Sequence, residues 1–391
     1  MKILIAFDKF KDSLSAPQAC ELASHALAGR GDWALELAPL TDGGEGFAEI
    51  LTLAAGGGMQ TINVMGPRGE PTQANLGWVS LSKVPQAARQ LLDLPDFPAG
   101  AQNRVAIVEM ASASGLALLP HALRDPWLTT SFGTGQLLRA AAAEGACAIV
   151  LGVGGSATND LGLGAVAALG LSFSSNTGLR LSPPVPAVWA QIDHIDGVIS
   201  TALPPIRIAC DVSNPLVGPR GCTAVFGPQK GLQLSDFERL EKAVSEMALR
   251  LCARFHKEKS LMDFPGNGAA GGIPFGLACV TPTRLMSGFE FVSSWLELDA
   301  RIASADIVIT GEGCFDASSL YGKGPGAIAL RALELGKKVH VFAGQVNAEP
   351  RAGLELHAIT PLTMPLSEAL EAAPRLLTES LVQAFSGSAG G

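Results

Sequence analysis

Charge is scarce in this chain: Asp, Glu, Lys and Arg make up only 16% of its 391 residues, and the balance is a net -8. A protein that grips nucleic acid ordinarily presents a basic face, so this balance argues against that class. An anionic ligand would have to meet positive charge local to its site. Paired cysteines are missing as well. Cys20, Cys147, Cys210, Cys222, Cys252, Cys279 and Cys314 stand singly with no C-x-x-C, which suggests neither a zinc ribbon nor a disulfide framework and fits reduced thiols in cytoplasm. No apolar run approaches the roughly 18 residues of a membrane span. The opening MKILIAFDKF is too short in its apolar part for a secretory signal. The expectation is a soluble cytoplasmic protein that engages neither membrane nor nucleic acid. The six histidines are dispersed without triad or metal-ligand spacing. The phosphate-binding pattern G-x-x-x-x-G-K-[ST] does not occur, because Lys323 is followed by Gly324.

What is present is a large apolar fraction, 48%, in a chain long enough for about two domains. Short apolar runs alternate with helix-like stretches at Lys2 to Phe7, Leu35 to Pro39, Thr61 to Met65, Val105 to Glu109, Ala148 to Val153, Ile206 to Cys210, Asp306 to Thr310 and Lys338 to Ala343. Continuous runs of this kind read as strands buried on both faces, so the class is α/β with largely parallel sheets. Ser15 and Gln18 form a capping box for a first helix that Gly29 stops. Ser235 and Glu238 suggest another, with Phe237, Leu240, Val244, Met247 and Leu251 along one stripe. The βα rhythm breaks at GPRGEPTQ, residues 66–73, and at TPTRLMSGFEF, residues 281–291. The reading is a Rossmann-like parallel-sheet domain, residues 1–70 and 286–391, with a second α/β domain, residues 71–285, inserted into it and a cleft between them. Residues 83–103 read as a short helix and a proline-broken surface loop.

Open α/β sheets bind ligands beyond the carboxyl ends of their strands. Four exits there are rich in polar residues. The first carries Asp8, Lys9, Lys11 and Asp12, and the second Thr41, Asp42, Gly43, Gly44 and Glu45. The third carries Asp211 and Asn214, and the fourth Gly311, Glu312 and Asp316. Glycines let a ligand approach the backbone, and carboxylates beside them suit Mg²⁺ on phosphate oxygens. Lys11, Lys230 and Lys323 supply cations beside turns. After the run Ala148 to Leu151 comes GVGGSATNDLGLG, residues 152–164. Its glycines with Ser156, Asn159 and Asp160 read either as an anion site at a helix start or as a tight turn. Its G-x-G-x-x-A pattern also approaches the dinucleotide fingerprint, but no acidic residue stands about 20 positions on to hold a ribose. A hydroxy-acid kinase, a dinucleotide-dependent oxidoreductase and a non-catalytic binder of small hydroxy acids all stay open on these grounds.

Over nearly its whole length the chain resembles the type I glycerate kinases. The resemblance is carried, in the family's order, by DKFKDSLSA (8–16), TDGGEGF (41–47), EMASASGL (109–116), TTSFGTGQL (129–137), GVGGSATNDLGLG (152–164), ACDVSNPLVGPRG (209–221), FGPQKG (226–231), GNGAAGG (266–272) and ITGEGCFD through GKGP (309–325). It implies phosphorylation of D-glycerate with ATP and Mg²⁺, giving 2-phosphoglycerate. On that reading Asp8 or Asp42 is the general base, and Lys11 and Lys230 bind the glycerate carboxylate or the transferring phosphoryl group. Gly43, Gly44, Gly154, Gly155, Ser156, Asn159, Asp160, Asp211, Asn214, Gly311, Glu312, Asp316 and Lys323 line the substrate and nucleotide sites, and Asp42, Glu45 and Glu312 hold Mg²⁺. The family usually has proline at the position of Phe7, serine at Lys9, Arg-Ile at Cys314-Phe315 and Gln-Thr at Ser318-Ser319.

Overall fold

The computed structural model describes residues 1–29, 32–94, 103–199, 203–317, 319–320, 324–349 and 351–386. Among them run thirteen strands: β1 (Lys2–Phe7), β2 (Ala34–Leu37), β3 (Gly58–Met65), β4 (Pro71–Ser80), β5 (Arg104–Glu109), β6 (Ala148–Gly152), β7 (Leu171–Ser174), β8 (His194–Gly197), β9 (Ile206–Ala209), β10 (Thr283–Met286), β11 (Ile307–Asp316), β12 (Lys338–Asn347) and β13 (Leu354–Ala358). The chain forms two compact units, Met1–Asp42 with Val292–Gly391, and Gly43–Phe291. No helix among the described residues is long and apolar enough to cross a membrane.

The first unit is built on a five-stranded sheet in the order β13-β12-β11-β1-β2, every neighbouring pair parallel. Ile3, Ile5 and Phe7 of β1 pack with Ala19, Ala23 and Leu27 of helix Ala16–Leu27 and with Leu376, Leu377 and Leu381 of helix Leu366–Ala384. The alternate residues Leu4 and Ala6 are equally buried, and helices Leu298–Ser304 and Gly324–Glu334 pack on β1 from that side. Both faces are therefore covered, which is why β1 is apolar without alternation. The Ser15–Gln18 capping box is present, with the Ser15 hydroxyl accepting from Gln18 N–H.

The second unit holds a six-stranded sheet, β10-β9-β6-β5-β4-β3, and a two-stranded ribbon of β7 and β8. Here β5, β6, β9 and β10 are parallel, while β3 and β4 form an antiparallel hairpin on β5. GPRGEPTQ is the turn of that hairpin, closed by Gly66 N–H to the Glu70 carbonyl at 2.6 Å, with Gly69 at φ 93°. Only a residue without Cβ adopts that conformation cheaply. What the sequence suggests is a crossing between domains is thus a tight turn inside one sheet. The division falls after Asp42, not after residue 70. Residues 281–291 likewise contribute β10 to this sheet, and the second division falls after Phe291.

Helix Phe237–Arg254 buries Leu240, Val244, Met247 and Leu251, as its stripe requires. A 3₁₀ turn, Leu234–Asp236, precedes it, so the expected Ser235 cap is not formed. In the 83–103 segment, helix Gln86–Leu92 and Asp93 are pinned by the Arg207 guanidinium, which donates to the Leu92 and Asp93 carbonyls.

Candidate active site

In the first unit the parallel register brings the exits of β1 and β11 together. Phe7 pairs with Gly311, and the next residue, Asp8, donates its N–H to the Gly311 carbonyl at 2.9 Å. This fixes the carboxylate of Asp8 beside that of Glu312. Asp8 Oδ1 accepts the Lys9 N–H at 2.7 Å. The start of helix Gly324–Glu334 abuts the other oxygen, since a Cβ at Gly324 would stand 3.7 Å from Asp8 Oδ2. Lys9 Nζ lies 3.6 Å from Asp42 Oδ1. Asp316 and Ser319 lock into a small turn, each N–H donating to the other's side chain at 3.3 Å, and the Ser319 side chain also hydrogen-bonds to Glu312.

The electrostatics follow from this crowding. Burial, helped by the neighbouring Asp42 charge and opposed by Lys9, pushes the Asp8 carboxyl up to about 6. Burial with the charges of Asp8, Asp316 and Asp42, opposed by the Ser319 hydrogen bond, pushes Glu312 up to about 7. Glu312 Oε1 is buried without a hydrogen-bond partner. Interacting carboxylates in partly dry surroundings are costly, and such groups concentrate at functional sites. Sequence spacing points to Asp8, Asp42, Glu312 and Asp316 and places Lys9 at the same exit without giving it a role. Its signal is its place between Asp8 and a second strand exit, whereas the expected Lys11 is simply exposed.

One expectation changes here. Thr310 to Gly313 is not a turn after a strand but part of β11, which runs on to Asp316 paired with β12. Gly311 is required by the sheet, because a Cβ there would meet the Phe342 carbonyl at 1.8 Å. Lys323 and Ser318 lie outside the described residues.

The second unit gives its glycine turn a different role from the one expected. A Cβ on Gly154 would fall 2.7 Å from Gly44 Cα, and Gly154 N–H donates to the Gly43 carbonyl at 3.0 Å. The bare backbones of residues 43–44 and 152–154 thus pack on each other. Gly155, at φ 68°, accepts from Leu116 N–H at 2.8 Å, and Ser156 bridges to Gly115. No helix follows directly. The next begins at Leu163, so the strand–turn–helix context of a dinucleotide fingerprint is missing.

The anion at that helix start is the protein's own. The carboxylate of Asp160, fully buried, accepts from Ser131 N–H and Ser131 Oγ at 2.8 Å, and from Gly162 and Gly164 N–H at 3.1 Å. It ties the Ser131 loop to the start of helix Leu163–Ala168. Asn159 is equally buried, its Nδ2 on Thr223 Oγ1 at 3.4 Å and its Oδ1 unpartnered. Lys230 is 1% exposed, donates to the Thr158 carbonyl at 2.6 Å, and is driven down to about 8 by burial. Asp211 caps helix Gly288–Trp295, accepting from Ser287 Oγ at 2.9 Å and Phe289 N–H at 2.8 Å. Asn214 organises a loop through Nδ2 to the Arg220 carbonyl at 2.8 Å. Glu45 is exposed.

Two perturbed carboxylates at the exits of parallel strands, with lysines at hand, suit proton abstraction and cation-assisted handling of anions. Comparison with known proteins identifies the lineage. A family model described as the glycerate kinase family matches residues 3–386. The chain is 36% identical over 380 residues to a glycerate kinase of Bacillus subtilis (strain 168), covering 95% of this chain and 93% of that one. It is 35% identical over 354 residues to a glycerate 2-kinase of Escherichia coli (strain K12), covering 89% and 86%. The crystal structure of a protein assigned as glycerate kinase 2 from Salmonella typhimurium LT2 superposes with a TM-score of 0.73 at 35% identity, over 99% of this chain and 97% of that one. A match over almost the full length, in sequence and in fold alike, carries the conclusion that the chain belongs to the glycerate kinase family.

Proposed function

We propose that this protein phosphorylates D-glycerate with ATP and Mg²⁺, releasing ADP and 2-phosphoglycerate. The observation that carries the reading is the pair Asp8 and Glu312, raised together to about 6 and about 7 at the end of the parallel sheet of a glycerate kinase family member. Phosphoryl transfer asks little covalent chemistry of a protein. It asks for a positioned hydroxyl, an acceptor for its proton and neutralised phosphate charge.

Asp8 suits the base. At neutral pH it is mostly ionised, and its pKa sits close enough to the working pH for proton transfer to be efficient. Its Oδ1 is held by Lys9 N–H, leaving Oδ2 to take the proton from the attacking hydroxyl. The metal fits the remaining residues: Glu312 Oε1 is buried and unpartnered among carboxylates that repel one another, an arrangement a divalent cation relieves. Mg²⁺ usually takes one or two protein carboxylates and completes its shell with water and phosphate oxygens, and Glu312 with Asp42 would serve. When bound, it supplies charge neutralisation for the nucleotide phosphates. Lys9 and Lys11 provide local cations for the glycerate carboxylate or the phosphates in a chain of net charge -8.

The test is a coupled ADP-release assay over a panel of small hydroxy acids, with and without Mg²⁺, the product resolved by phosphorus NMR. Turnover with D-glycerate that requires Mg²⁺, giving the 2-phosphate ester, is expected. No ADP release with D-glycerate would overturn the reading, and a 3-phosphate product would overturn the proposed acceptor hydroxyl.

A further inference from the structure

Strands β12 and β13 pair in parallel with His340 opposite Glu355 and Phe342 opposite His357. Alternate residues share a face, so all four side chains stand on one side of the sheet at its edge strand. Dispersed in sequence, two histidines and a carboxylate become neighbours. His340 Nδ1 lies 3.2 Å from His357 Nε2 and 3.5 Å from Glu355 Oε2, and the three ligand atoms fall within 4.8 Å of one another.

We propose that His340, Glu355 and His357 bind a borderline transition-metal ion of the Zn²⁺, Co²⁺ or Ni²⁺ class. Two ring nitrogens bound at about 2.0–2.1 Å in a tetrahedral shell stand about 3.3–3.4 Å apart, and the observed 3.2 Å matches this without rearrangement of the backbone. Aromatic packing holds the rings in place. His357 stacks on Phe342 with centroids 4.4 Å apart, and His340 lies against Phe385 at 4.7 Å. An imidazole ligates through the lone pair of its neutral form, and both rings present a nitrogen toward the same point beside the Glu355 carboxylate. Glu355 is 62% exposed on its side chain, which leaves an entry from solvent.

This site is separate from the Mg²⁺ proposed for catalysis. His340 stands three residues before Ala343, the β12 partner of Glu312, or about 10 Å back along the strand. Imidazole donors also select against Mg²⁺, which takes oxygen ligands. A bound ion would clip edge strand β13 to β12 and so favour the folded state.

The experiment uses the full chain, stripped with a chelator and titrated with Co²⁺ and then Zn²⁺. One Co²⁺ per chain with tetrahedral visible absorption is expected, displaced by Zn²⁺ and unaffected by excess Mg²⁺. At Zn²⁺ about 100-fold above its Kd, the folding equilibrium should move about 100-fold toward the folded state. His357→Ala should weaken binding by more than the about 10–100-fold that loss of an outer-shell partner costs, with unchanged circular dichroism and Mg²⁺-supported turnover. Glu355→Gln should weaken it less. Absence of one-to-one binding would overturn the proposal and leave only a hydrogen-bonded histidine pair. So would a Co²⁺ spectrum unchanged in His357→Ala, which would place the ion on other donors such as the exposed Cys314.

Discussion

At the scale of single residues, Asp8 ties activity and stability to pH in opposite directions. Its folded-state pKa of about 6 lies above the ordinary 3.8, chiefly through burial. Between about pH 4 and 6 the folded chain keeps a proton that the unfolded chain has released, so stability falls as pH rises through that window. The base, in contrast, works only when ionised. The kcat/KM profile should therefore lose activity as pH falls through about 6 to 7, with apparent values belonging to the Asp8–Glu312 cluster rather than to one group. Asp8→Asn should lower kcat by at least about 100-fold. It should also raise stability at pH 8 by at most about 3 kcal/mol while changing little at pH 4. Steady-state kinetics and urea unfolding at the two pH values check both halves. An active Asp8→Asn enzyme would move the base to Asp42, whose Lys9 partner would then be the group to vary.

Asp160 gives the contrasting residue-scale case. Its carboxylate satisfies donors from Ser131, Gly162 and Gly164 inside the second unit, and each donor left bare in the interior costs about 1–3 kcal/mol. Asp160→Ala should destabilise by roughly 3 kcal/mol or more, seen as a lower urea midpoint. A folded variant with unchanged midpoint and a raised KM for glycerate would instead restore the ligand-binding role that its position in a glycine-rich turn suggests.

At the scale of elements, the glycine turn at 152–155 is a joint between backbones. Gly154→Ala would force a Cβ to 2.7 Å from Gly44 Cα. Overpacking of this kind costs about 1–3 kcal/mol, and the expected result is a lower melting temperature; an unaltered one would mean the turn has room to spare. The same joint shows what the sequence makes legible and what it does not. Apolar runs such as Lys2–Phe7 and Ala148–Gly152 declare buried parallel strands because both faces are covered. Strands β4 and β13 escape notice because the first half of β4 and most of β13 are only partly buried and mix polar with apolar residues. A glycine's need for space is visible in sequence, but not whether a ligand or another backbone fills it. Gly154 and Gly311 both turn out to face backbone. The carboxylates at strand exits were legible because the exits of a parallel sheet share one end. His340, Glu355 and His357 were not, because their meeting depends on the register of β12 and β13.

At the scale of the whole molecule, each of the two units gathers a hydrophobic core among its described residues. One gathers Ile3, Ile5, Phe342, Leu377 and Leu381. The other gathers Leu76, Ile149, Leu151, Ile208, Val244 and Phe275. Each unit has its own sheet, and a chain with separate cores is not held to all-or-none unfolding. Calorimetry should show a total enthalpy larger than the van't Hoff value, resolvable into two components. Leu377→Ala opens a cavity in the first core and should destabilise by about 2–5 kcal/mol, shifting one component. Val244→Ala, a smaller deletion in the second, should shift the other. Zn²⁺ at the β12–β13 edge should raise only the component that Leu377→Ala lowers, because its ligands belong to the first unit. A single transition displaced equally by both variants would mean that the two cores unfold as one cooperative body, and Zn²⁺ bound at the strand edge would then stabilise the entire chain.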